Sequence, residues 1–107
     1  MIQEEIKKRI LILDGAMGTA IQQKALTAAD FRGEEFSDHP VCLKGNNDIL
    51  NLTRPDIIKQ IHRSYIEAGA DIIETNTFNS NALSQEEYRT EESVYRLNYE
   101  GAKIAAE

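Results

Sequence analysis

A single cysteine, Cys42, is all the thiol that the 107-residue chain carries. It cannot close an internal disulfide and cannot build a zinc site by itself, so no disulfide framework supports this fold. Basic residues are the minority, 12 Lys and Arg against 18 Asp and Glu, for a net charge of −6 at pH 7. No predicted helix bears a basic cluster, which argues against nucleic acid as a partner, because that affinity rests on cations neutralising phosphates. No apolar run approaches the roughly 18 residues of a membrane span, and Met1-Ile2-Gln3-Glu4-Glu5 lacks the charged-then-apolar plan of a signal peptide. A cytoplasmic protein with no membrane partner is the expectation. Internal repeats and low-complexity tracts are also missing, and neither His39 nor His62 has a second histidine at metal-ligand spacing.

What is present is a pattern used twice. Arg9-Ile10-Leu11-Ile12-Leu13 runs into Asp14-Gly15-Ala16-Met17-Gly18-Thr19, and Asp71-Ile72-Ile73 runs into Glu74-Thr75-Asn76-Thr77-Phe78. Each apolar run is short enough for a buried strand, and polar residues directly after parallel strands converge at one end of a sheet. Around them, residues 3–8 read as a short leading helix, 17–23 as a helix entered from the glycine turn, and 26–47 as a long irregular excursion holding Gly33, Pro40 and Gly45. A second short strand is expected around Ile49–Leu52. The segment 54–68 predicts a helix: Pro55 suits the first helical position, Asp56 suits the positive end of the dipole, and Gly69 supplies the stop. Its apolar stripe is Ile57, Ile58, Ile61, Tyr65, Ile66 and Ala68. Two further helices are expected near 80–88 and 91–107, the latter burying Val94, Leu97, Ala102, Ile104 and Ala105. The order helix, glycine, strand implies parallel β/α units and an α/β fold.

Two carboxylates carry the chemistry. Asp14 follows a strand beside glycines and could receive a substrate ammonium; an Asp that merely caps the turn is an equally good reading. Glu74 is followed by three hydrogen-bonding side chains, a set that suits recognition of a zwitterion, against the alternative of a strand-end carboxylate bonded to its neighbours. Gly15 and Gly18 lack the third glycine of a dinucleotide loop and the Gly-Lys-Ser/Thr of a phosphate loop. His62 reads as packing or surface; Asn46-Asn47-Asp48 read by default as turn residues, or as neighbours of the pocket if the second strand ends there; and the glutamate groups read as solvated helix faces and caps.

The segments 13–19, Asp30-Phe31-Arg32-Gly33-Glu34, Leu43-Lys44-Gly45-Asn46-Asn47-Asp48-Ile49-Leu50 and 69–78 together resemble the homocysteine S-methyltransferase family, most closely its cobalamin-dependent branch. The resemblance implies a (β/α)8 TIM barrel of which residues 1–107 are the N-terminal part, its first two or three β/α units. It implies homocysteine as substrate and zinc as the ion that turns the substrate thiol into a thiolate, the nucleophilic form. It further implies methylcobalamin as methyl donor, recharged from 5-methyltetrahydrofolate by other modules of the same enzyme, and methionine as product. Carried over residue by residue, Asp14, Gly15, Ala16, Met17, Gly18 and Thr19 join Glu74, Thr75, Asn76 and Thr77 at the amino-acid end of the homocysteine pocket. The family's zinc is held by three cysteines from later strands, which have no counterpart here, so zinc ligands are expected beyond residue 107 and no metal or catalytic role falls on Cys42. The 107-residue chain by itself is expected to be inactive. Two other readings stay open: a non-catalytic partial barrel that self-associates through its exposed sheet edge or pairs with another chain, and a different barrel enzyme using Asp14 and Glu74 as acid and base.

Overall fold

Pro55 opens the element around which the rest is arranged. Its ring pre-sets the backbone at the first helical position and its missing N–H costs nothing there. Arg54 pairs with Asp56 in the same turn, and Gly69, at φ +114°, takes the left-handed conformation just beyond the far end. In the computed structural model, which describes all 107 residues, this helix is α5 (Pro55–Glu67), with Ile57, Ile58, Ile61 and His62 buried along one face. The expected stripe is therefore its core face as far as Tyr65, while Ile66 and Ala68 face outward.

The chain before it forms α1 (Ile2–Glu5), α2 (Met17–Gln23), α3 (Ala28–Arg32) and, after a short 3-10 turn at Asn47–Ile49, α4 (Leu50–Thr53). After it come α6 (Ala82–Glu86), a second 3-10 turn at Glu91–Ser93, and α7 (Val94–Ala106). Helix α3 falls inside the stretch expected to be irregular. A capping box starts it: the Thr27 hydroxyl accepts from the Asp30 N–H at 3.2 Å, and the Asp30 carboxylate accepts from the Thr27 N–H at 2.8 Å. Helices α2, α4 and α7 pack against α5. The core they enclose comprises Ile21, Phe31, Leu43, Ile49, Leu50, Ile57, Ile58, Ile61, Leu97 and Ile104. On α7 the buried positions are Leu97, Gly101 and Ile104; Ala102 is exposed, contrary to expectation.

The α/β barrel portion expected from the sequence is not what forms. Helix accounts for 53% of the chain and strand for 2%, and there is no sheet. The strand expected at Ile10–Leu13 and the one at Asp71–Thr75 meet in a single parallel bridge, Leu13 to Ile72. The strand expected at Ile49–Leu52 is helical instead, its Ile49, Leu50 and Asn51 sunk together in the core. The physical reason lies in what a strand needs. A parallel strand buried on both faces requires paired neighbours and covering helices, and two strands alone are marginal. Here the helices bury one another, and Ile10 and Ile12 remain 87% and 56% exposed. No helix is long and apolar enough to cross a membrane.

Candidate functional site

Although the two apolar runs make no sheet, their backbones run side by side in one direction. Asp71 begins the register: its N–H and that of Ile72 donate to the Ile12 carbonyl at 2.8 and 3.1 Å, and its carboxylate accepts from the Ile12 N–H at 3.0 Å and from Arg9 at 3.0 Å. Those bonds hold the Asp71 carboxyl below its ordinary pKa, the Ile12 N–H contributing most. One step on, the Asp14 N–H donates to the Ile72 carbonyl at 2.9 Å. The Glu74 N–H then donates to Asp14 Oδ2 at 3.1 Å. Asp14 and Glu74, 60 residues apart in sequence, thus end as neighbours.

They border one cavity of about 390 Å³ whose walls are Asp14, Gly15, Ala16, Met17 and Gly18 on one side and Glu74, Thr75, Asn76, Thr77 and Phe78 on the other. Thr19 points elsewhere, exposed on the first turn of α2. Neither Asp14 nor Glu74 belongs to any of the ion pairs of the chain, so both acids border the cavity without a cation paired to either. Asp14 Oδ1 is covered and has no hydrogen-bond partner, an arrangement that costs free energy unless something answers it. The hydroxyls of Thr75 and Thr77 bond to each other at 2.6 Å.

The second wall is clamped from behind by the segment 46–51. The Asn76 amide nitrogen donates to the Asn47 carbonyl at 2.9 Å and to Asn51 Oδ1 at 3.1 Å, and Asn51 Nδ2 returns a bond to the Asn76 carbonyl at 2.7 Å. Asp48 Oδ2 accepts from the Asn79 N–H at 2.9 Å and the Ser80 hydroxyl at 2.6 Å. Burial nonetheless keeps the Asp48 carboxyl above its ordinary pKa. Asn76 therefore spends its donors on the fold, and Asn47 and Asp48, which lie in the 3-10 turn, also brace the cavity wall, so both readings of this cluster, turn and pocket neighbour, apply.

Three residues near the site escaped sequence reasoning. Phe78 stands 93% exposed on the cavity wall. Tyr65 donates its hydroxyl to the Ala16 carbonyl at 2.8 Å. His62 is 3% exposed with neither ring nitrogen hydrogen-bonded; burial lowers its pKa while the charge of Asp14 pulls the other way. The i, i+3 spacing of His62 and Tyr65 was visible in the sequence, but nothing in it said that this face of α5 lies under the Asp14 loop.

No group of three or more His, Cys, Asp or Glu side chains gathers in a way that could hold a metal ion. Cys42 is exposed and lies outside the cavity. The residues at the site do not fit zinc, whose sites take three or four well-placed ligands. Compared with known families, residues 11–107 match the model described as homocysteine S-methyltransferase.

Proposed function

The chain belongs to the homocysteine S-methyltransferase family, whose activity is methyl transfer to homocysteine, and from that premise we propose that the Asp14–Glu74 cavity receives the amino-acid end of homocysteine. The observation that carries the proposal is that two acids border one cavity, joined by the Glu74 N–H to Asp14 Oδ2, and that neither is paired with a cation. An ammonium placed between them would supply the missing charge through charge-assisted hydrogen bonds. Gly15, Ala16 and Gly18 bring backbone rather than bulk to the Asp14 side of the cavity, Thr75 and Thr77 offer hydroxyls, and Asn76 holds its wall in place. The cavity is of the size that small-molecule sites commonly have.

The methyl donor implied by the resemblance, methylcobalamin recharged from 5-methyltetrahydrofolate, and methionine as product remain the proposed setting of this step. No step is assigned to zinc, because the cavity offers two carboxylates and hydroxyls where a zinc site takes three or four well-placed ligands. What these residues do is bind and orient the amino acid.

Calorimetric titration with L-homocysteine tests the reading. Asp14→Asn keeps the shape of the turn and an acceptor for the Glu74 N–H but removes the charge. A charge-assisted bond is worth about 1.5–3 kcal/mol, or roughly 10- to 150-fold in affinity. Glu74→Gln, at an exposed carboxylate, is expected to cost less because solvent screens it. 4-Mercaptobutanoate, which lacks the amino group, should bind the wild type weakly and lose little in either variant. Equal losses for both ligands would mean that the carboxylates merely hold the fold.

A further inference from the structure

Both halves of the cavity meet at one residue that belongs to neither. Tyr65 sits in the last turn of α5. Through its main chain it holds the second half: its carbonyl accepts from the Ala70 N–H at 3.0 Å, fixing the turn through Gly69 that delivers Asp71–Glu74. Through its side chain it holds the first half: the hydroxyl donates to the Ala16 carbonyl at 2.8 Å. Its ring lies so close to Gly15 that a Cβ there would stand 2.9 Å from Tyr65 Cε1 and 3.0 Å from the hydroxyl oxygen. Gly15 thus has a packing reason to be glycine. The Asp14-Gly15-Ala16 turn rests directly on the tyrosine, with no intervening side chain.

We infer that Tyr65 is a positioning residue that sets the spacing between the Asp14 turn and the Glu74 wall, and thereby the preference of the cavity for a ligand carrying an ammonium group. The inference rests on the homocysteine reading above and adds to it a selectivity role for a residue outside the cavity wall. Two carboxylates can share one small cation only while both stay within hydrogen-bond reach of it, a window of a few tenths of an ångström. A turn released from its anchor drifts across that window, and the loss falls on the ammonium alone. A ligand without an amino group does not sense the spacing.

Tyr65→Phe keeps the ring against Gly15 and deletes only the hydroxyl. The full chain and the variant are titrated with L-homocysteine and with 4-mercaptobutanoate, and each is unfolded in urea. The expected result is homocysteine binding weakened by roughly three- to tenfold, the range of one neutral hydrogen bond, with 4-mercaptobutanoate binding unchanged. Gly15→Ala, which pushes the turn off the ring, should shift the same ratio in the same direction. If both ligands lose affinity in proportion to a drop in stability, Tyr65 is only a strut and the inference is overturned. If homocysteine binds the wild type and Tyr65→Phe leaves its preference over 4-mercaptobutanoate unchanged, the inference fails while the homocysteine reading stands. If the wild type binds no homocysteine, both fall.

Discussion

Gly101→Ala sets two effects of opposite sign against each other, and the structure decides between them. In an exposed helix interior the change should stabilise by about 1 kcal/mol, because glycine carries the larger backbone entropy. Gly101 is buried in α7, however, and a Cβ there would stand 2.7 Å from Thr77 Cγ2 and 2.9 Å from Asn51 Nδ2. Neither neighbour can yield cheaply. Asn51 Nδ2 is bonded to the Asn76 carbonyl at 2.7 Å and the Leu97 carbonyl at 3.2 Å, in full burial. Overpacking costs about 1–3 kcal/mol, and pulling Asn51 off its carbonyls leaves buried polar groups unpaired at about 1–3 kcal/mol more. Against a propensity gain of about 1 kcal/mol, a net destabilisation of about 1–5 kcal/mol is expected. Urea unfolding followed by far-UV circular dichroism reads it as a lower midpoint at unchanged slope. Because Thr77 lines the cavity, homocysteine affinity should fall as well. Stabilisation by about 1 kcal/mol, as helix propensity alone requires, would refute the close approach of α7 to the site.

Two further outcomes follow from the buried polar groups. Burial holds the His62 pKa below its ordinary 6.5, so the unfolded chain takes up a proton that the folded chain refuses; this stability is fully present well above pH 6.5 and is lost as pH falls through 6.5 toward the lower folded-state pKa. Urea midpoints measured across the range should show the slope in the wild type and a smaller one in His62→Phe. Gln85 is fully buried; it accepts from Asn46 at 2.9 Å and Thr90 at 2.6 Å and donates to the Asn79 carbonyl at 2.9 Å. Gln85→Ala strands those partners and should cost about 2–4 kcal/mol by thermal or urea unfolding.

Helices were legible because their signals are local. Pro55, Asp56 and Gly69 bracket α5 within the residues that form it, and the 17–23 helix coincides with α2. Strands were not, because a strand depends on neighbours elsewhere in the chain. Ile10–Leu13 carries the composition of a buried strand, yet only Leu13 is bridged and Ile10 faces solvent. At 49–52 adjacent apolar residues fit either periodicity, and the helical turn won because Asn51 and Asp48 could be buried with partners. The candidate site was legible through repetition: two apolar runs, each ending in an acid, are drawn together by main-chain bonds that need no sheet. Tyr65 reads as a member of an apolar stripe and His62 as packing or surface, since sequence tells which face of a helix is buried but not what lies against it. The capping pair Thr27 and Asp30 was visible three residues apart and marked α3 inside the stretch taken as irregular.

The measurement that bears most directly on the account is a set of two-dimensional amide NMR spectra recorded as L-homocysteine is added. Saturable shifts confined to residues 14–18 and 74–78 are expected, with Asp14→Asn moving the titration to higher concentration. The homocysteine reading would be contradicted by a lack of saturable shifts, or by shifts gathered instead at another cavity, such as the one of about 490 Å³ lined by Ile21, Gln22, Phe31 and Lys44.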